Sequence, residues 1–169
     1  MPHFSLISQL AQNKLVFEQL LKPADEALIL FRPHAKHWCL LEIICHLYDE
    51  EREDFRARIS SILKDPLQPL APFNPVAWLT ERQYMEQEYE EKLSAFLAER
   101  EASLDWLTQL DAPNWAQAYQ HPTAGPLSAN SFLANWVAHD YLHIRQIVRI
   151  KYQYVQHLTG ESIDYAGTW

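Results

Sequence analysis

Ten prolines against three glycines leave this 169-residue chain with four long stretches that no proline interrupts. A proline inside a helix removes a hydrogen bond and clashes with the preceding turn, so long helices must lie between the prolines. The first stretch runs from about Phe4 to Lys22, with Phe4, Ile7, Leu10, Leu15, Leu20 and Leu21 at roughly helical spacing and Pro23 as its stop. The second, "WCLLEIICHLYDEEREDFRARISSIL", carries Leu40, Ile43, Ile44, Leu47, Phe55, Ile59 and Ile62 as an apolar stripe and ends before Pro66. The third, about Val76 to Leu110, is dense in charge, with Tyr84, Leu93, Phe96, Leu97, Leu104 and Leu107 as its buried side. The fourth opens at Ser128, a good N-cap, and closes at Gly160, a good C′ residue.

These stretches predict an all-α fold: a four-helix bundle with long irregular connections after helices two and three. Pro66, Pro69, Pro72 and Pro75 make the first connection, and Pro113, Pro122, Gly125 and Pro126 the second. With no repeat and no linker-like tract, residues 1–169 are expected to form one domain.

Charge narrows the partners. A formal net charge of −8 repels phosphate backbones and anionic lipid, which argues against nucleic acid and membrane surfaces. There is no apolar run of about 18 residues and no secretion-type leader, so the expected compartment is the cytoplasm. Cys39 and Cys45 lie six apart in one helix and point in different directions, so no disulfide is expected between them.

The chemistry lies in the histidines. His139 and His143 are four apart in "HDYLH", so they share a helix face and their nitrogens can converge. Eight histidines in the chain make such a pair a weak signal by itself, and hydrogen-bonded core imidazoles explain it equally well. His46 shifts the balance, because it sits in the apolar stripe of helix two, one turn from Ile43. Three inward imidazoles on two helices make a facial N₃ set, which a divalent ion would relieve of crowding.

Other metal architectures fit less well. "HDYLH" has Asp140 where a zinc protease needs a longer glutamate, and Asp140 is rotated about 100° from His139 around the helix. A di-iron bundle needs Glu-x-x-His pairs, whereas Glu42 and His46 are four apart. His3, His34, His37, His121 and His157 carry no metal pattern, and nothing in the sequence shows His37 or His121 lining a substrate mouth.

An inward histidine soon after a tryptophan, in "HWCLLEIICHLYDEE", together with the late "HDYLHIRQI", resembles the DinB/YfiT-like superfamily of bacterial four-helix-bundle proteins. The resemblance covers most of the chain. It implies a divalent metal held by His46, His139 and His143, with water in the open positions. Many relatives follow the tryptophan with Ser or Thr, where this chain has Cys39, a weaker helix cap. Activities known among relatives are metal-dependent transfer to low-molecular-weight thiols such as mycothiol or bacillithiol, and metal-dependent hydrolysis.

Three neutral imidazoles leave coordination positions open, as catalytic sites do. The expectation is therefore a metal-dependent enzyme, with S-transferase-like chemistry on a small thiol first and hydrolysis as the alternative. A non-catalytic bundle stapled by its metal, or an interaction module, is the competing class. Zn or Ni is expected ahead of Fe, Mn or Co. Glu50, one turn beyond His46, and Asp49 beside it are the candidate proton acceptors, and solvation is the competing role for both. Trp78, Trp106 and Trp115 are candidates for a homodimer face, and Tyr48, Tyr141 and Trp136 for packing.

Overall fold

A computed structural model describes residues 2–22 and 25–167; Pro23, the expected stop of helix one, lies outside them. The elements are α1 (Pro2–Leu21), α2 (Glu26–Leu30), α3 (Leu40–Glu50), α4 (Arg56–Lys64), α5 (Pro75–Glu81), α6 (Tyr89–Gln109), β1 (Ala118–His121), β2 (Gly125–Ser128) and α7 (Ala129–Thr159). A π-helical turn, Glu51–Phe55, joins α3 to α4 into the second long helix. Helix α1 packs on α6 and α7, while α3 packs on α6 and α4 on α7. The first two long helices therefore sit across the bundle from each other, which explains why a connection of several turns' length, with α2 in it, joins them.

The π turn follows from the spacing of the apolar stripe. Eight residues separate Leu47 from Phe55, which in a straight α-helix would point about 80° apart. The wider turn takes up the excess, so Phe55, Ile59 and Ile62 stay buried in line with Ile43 and Leu47. At the start of α3, Glu42 Oε2 accepts from the Cys39 N–H at 2.9 Å and pairs with Arg32 at 2.6 Å. Glu42 thus supplies capping that a cysteine does poorly.

Three expectations need correction. Residues 76–110 are not one helix: Gln83 adopts a left-handed backbone, and a short 3₁₀ turn, Tyr84–Glu86, follows it. The break lets Tyr84 turn inward, where its hydroxyl donates to Asp49 Oδ2 at 2.7 Å, so tertiary bonding overrides helical propensity. The second connection is not wholly irregular, since β1 and β2 pair antiparallel. On α1, Phe4 and Leu15 are exposed while Phe17 is buried, because the inward line runs Ile7, Leu10, Phe17, Leu21.

The core is divided. One apolar cluster contains Phe17, Leu21, Ile43, Leu93, Phe96 and Ile147; the other contains Ile7, Leu10, Ile59, Leu107, Leu133 and Trp136. Each long helix changes from one cluster to the other part-way along, and at that level it buries polar groups: Asn13, Glu50 and Glu51, Arg100 and Ser103, Asp140 and His143. The bundle therefore has a polar layer between two greasy halves.

Candidate metal centre

At the heart of the polar layer is Arg100, fully buried. Its Nε and Nη2 donate to Glu51 at 2.8 and 2.9 Å, and its Nη1 and Nη2 donate to Asp140 at 2.8 Å each. Asn13 Nδ2 donates to Asp140 at 3.1 Å, and Trp136 Nε1 to Glu51 at 3.2 Å. Buried charges persist only when paired and hydrogen-bonded, and here each is. Sequence reasoning placed Asp140 away from the metal face and Trp136 in packing; it missed Arg100 and Glu51, whose pairing is visible only in three dimensions.

The histidines line the edge of this layer. Nε2 of His46 lies 3.4 Å from Nε2 of His139, which lies 3.0 Å from Nε2 of His143. Their ligand atoms form a group able to hold a metal ion. With metal–nitrogen bonds of about 2.0–2.1 Å, ligand nitrogens around one ion sit roughly 3.0–3.4 Å apart, which the His46–His139 and His139–His143 spacings match. His46 and His143 are buried and His139 is half-buried. Burial, helped by the neighbouring imidazoles, pushes the His46 imidazolium down to about 2 and His143 down to about 3. Both rings are thus held neutral, the state a metal requires.

The surroundings aim the rings. Gln146 Oε1 lies 2.9 Å from His143 Nδ1, which leaves Nε2 free to face its partners. Trp38 packs edge-on against His46 at 4.9 Å, and Phe55 against His139 at 5.2 Å. Among the described residues His46 Nδ1 is buried without a partner.

Of the two acidic candidates, Glu50 joins the site and Asp49 does not. The Glu50 oxygens lie 3.2 Å from His46 Nε2 and 2.8 Å from His139 Nε2. Asp49 points the other way, to Tyr84 and to Arg82 Nη1 at 2.9 Å. Glu50, Glu51 and Asp140 against the single Arg100 give the buried layer two more acidic groups than basic ones. A divalent ion among the imidazoles would match that acidic excess, so the residues present fit the group.

Two openings reach the histidines. A pocket of about 360 Å³ beside His139 is walled by Phe55, Leu127, Phe132, Ala138 and Leu142. On the other side His46 and His143 border an open cavity with Lys36, His37 and Trp38. His37 thus lines this cavity, which its sequence context did not show, whereas His121 caps its own hairpin turn by accepting the N–H groups of Thr123 and Ala124. His3 stacks on Trp115, His34 meets His37, and His157 lies against Phe31. Trp78, Trp106 and Trp115 are half-buried against the two core clusters. Among the described residues no helix is long and apolar enough to cross a membrane.

The fold is shared with YfiT from Bacillus subtilis, described as a probable metal-dependent hydrolase with an unusual four-helix bundle topology; the match has a TM-score of 0.78 and 16% identity over 95% of this chain and 89% of that one. No curated protein matches the sequence. The sequence profile of the DinB superfamily matches residues 9–147, most of the chain, and spans all three converging histidines: the protein belongs to the DinB superfamily.

Proposed function

We propose that the protein is a divalent-metal-dependent hydrolase, with His46, His139 and His143 as the metal ligands and Glu50 as the proton acceptor. The observation that carries this reading is the Glu50 carboxylate, buried and within 3.2 Å of two of the three converging nitrogens. The description of YfiT, a protein of the same fold, supports it. A divalent ion held by three neutral imidazoles supplies Lewis acidity and lowers the pKa of water or a thiol at an open position. Glu50 stands where it would take the proton that such a molecule gives up. Gln146 fixes the tautomer of His143, and Trp38 and Phe55 hold two of the rings by packing. The apolar pocket beside His139 would shelter the substrate's acyl or leaving group from water.

A second reading, transfer to a small thiol, draws on the presence of two separate openings at the histidines, one for each reactant. In it Glu50 accepts the thiol proton instead of a water proton. Zn and Ni remain the first metals to try, and the all-imidazole set accepts Fe, Mn or Co as well.

The test is elemental mass spectrometry on protein purified without an affinity tag, with 4-nitrophenyl ester hydrolysis measured with and without a model thiol. Close to one divalent ion per chain, lost in His143→Ala, with thiol-independent turnover lost in Glu50→Gln, is the expected result. Turnover only when thiol is present would move the assignment to the transferase. No bound metal after reconstitution with Zn, Ni or Mn would end both.

A further inference from the structure

The mouth of the histidine site differs in charge from the rest of the molecule. The chain has 22 acidic against 14 basic residues, yet among the described residues no acidic residue lines the three neighbouring cavities on the His143 side. Gln146 borders all three, so they form one continuous depression. Its basic residues are Lys36 at the cavity shared with His46 and His143, Arg145 beside His143, and Arg149 farther along α7.

Most arginines of this protein are committed. Arg32, Arg56, Arg58, Arg82 and Arg100 each pair with a carboxylate. Lys36, Arg145 and Arg149, all exposed, have no hydrogen bond or ion pair among the described residues. Arg52, Lys64 and Lys92 are also without an ion pair among the described residues, but they line none of these cavities; three such cations gathered around one opening focus positive potential there. Guanidinium forks match carboxylate and phosphate oxygens, and an i,i+4 pair on α7 presents two forks side by side.

We propose that this depression is a recognition site for the charged end of a small organic anion whose reacting centre lies at the histidines. This rests on the metal-site reading above and deepens it by naming the substrate class. Arg149 is six residues past His143, about 9 Å along the helix axis. Since a long side chain can lean back toward the site, the charged end lies several bonds from the reacting centre. Gln146 lies between, where its amide N–H₂ is placed to donate to the same anion while its oxygen stays on His143. The apolar pocket on the opposite, His139 side takes the uncharged portion.

The test uses adipate and its monoamide, which match in length and shape and differ by one charge. Calorimetric titration measures both on zinc-loaded and on metal-free protein, for wild type, Arg149→Ala and Arg145→Ala/Arg149→Ala. These side chains are exposed, so the variants fold, and circular dichroism checks it. The expected result is at least tenfold tighter binding of adipate than of the monoamide, with that preference lost in the double variant. Equal affinity for the two compounds in wild type, or a preference that survives the double substitution, overturns the anion site. Because the charge preference is also read on metal-free protein, a failure of the metal reading would leave the anion test decisive.

Discussion

Asp140, the residue next to His139, gives both carboxylate oxygens to the Arg100 guanidinium at 2.8 Å. One turn of α7 therefore serves two purposes: a half-buried imidazole for the site and a carboxylate that locks α7 to α6. Arg100 also holds Glu51, which follows Glu50, so the same guanidinium sets the level of the two helix segments that carry the histidines.

Arg100→Met should cost about 3–5 kcal/mol, because it leaves Glu51 and Asp140 buried without their cation. Urea denaturation of the metal-free variant measures this. A loss below about 1 kcal/mol would mean that the layer is not the structural centre of the bundle.

Gln146→Leu keeps the volume but removes the acceptor at His143 Nδ1. Metal affinity should fall by about 10–100-fold, as expected when the hydrogen-bond partner of a ligating histidine is removed. Competition with a chromophoric chelator reads the change, and Gln146→Glu, which restores an acceptor, should recover it. Unchanged affinity in Gln146→Leu would show that His143 does not ligate through Nε2.

Much of the bundle was legible because helical periodicity and proline placement are local signals. All seven apolar positions of the second stretch, Leu40 through Ile62, are buried, and Ser128 and Gly160 bound α7 where expected. The histidines were legible for the same reason: a spacing of four on one helix and a place in an apolar stripe on another. What was not legible depends on distant partners. The Gln83 break exists because Tyr84 reaches Asp49, and the hairpin exists through backbone pairing that its side chains do not announce. Glu50 and Asp49 are neighbours in "YDEERED" with the same chemistry, and only the π turn and the positions of Arg82 and Tyr84 separate their fates.

Both cysteines should be inert in the folded protein. Burial pushes the Cys45 thiol up to about 12 and raises Cys39 as well, so almost no thiolate is present near neutrality. Ellman's reagent at pH 8 should label neither residue within minutes and both after unfolding in guanidinium. Rapid native labelling would contradict this burial and would bring a protein thiol into contention as the nucleophile of a transfer reaction.

The metal-free protein should lose stability as the pH falls below about 6.5. His46 and His143 have folded values near 2 and 3 against an ordinary value of 6.5, so between those limits the unfolded chain binds protons that the folded chain refuses. Stability then rises with pH, since its slope follows the protons bound in the unfolded state minus those in the folded state. The contribution is fully present above 6.5 and is lost on acidification, by up to about 2 kcal/mol for each imidazole between pH 6.5 and 5. Urea midpoints at pH 7 and pH 5 give the slope, and His143→Gln, which cannot take up a proton in either state, should flatten it. If wild type and variant lose stability equally, the buried imidazoles are not the source, and the neutral rings that make the site ready for a metal would have to be explained in another way.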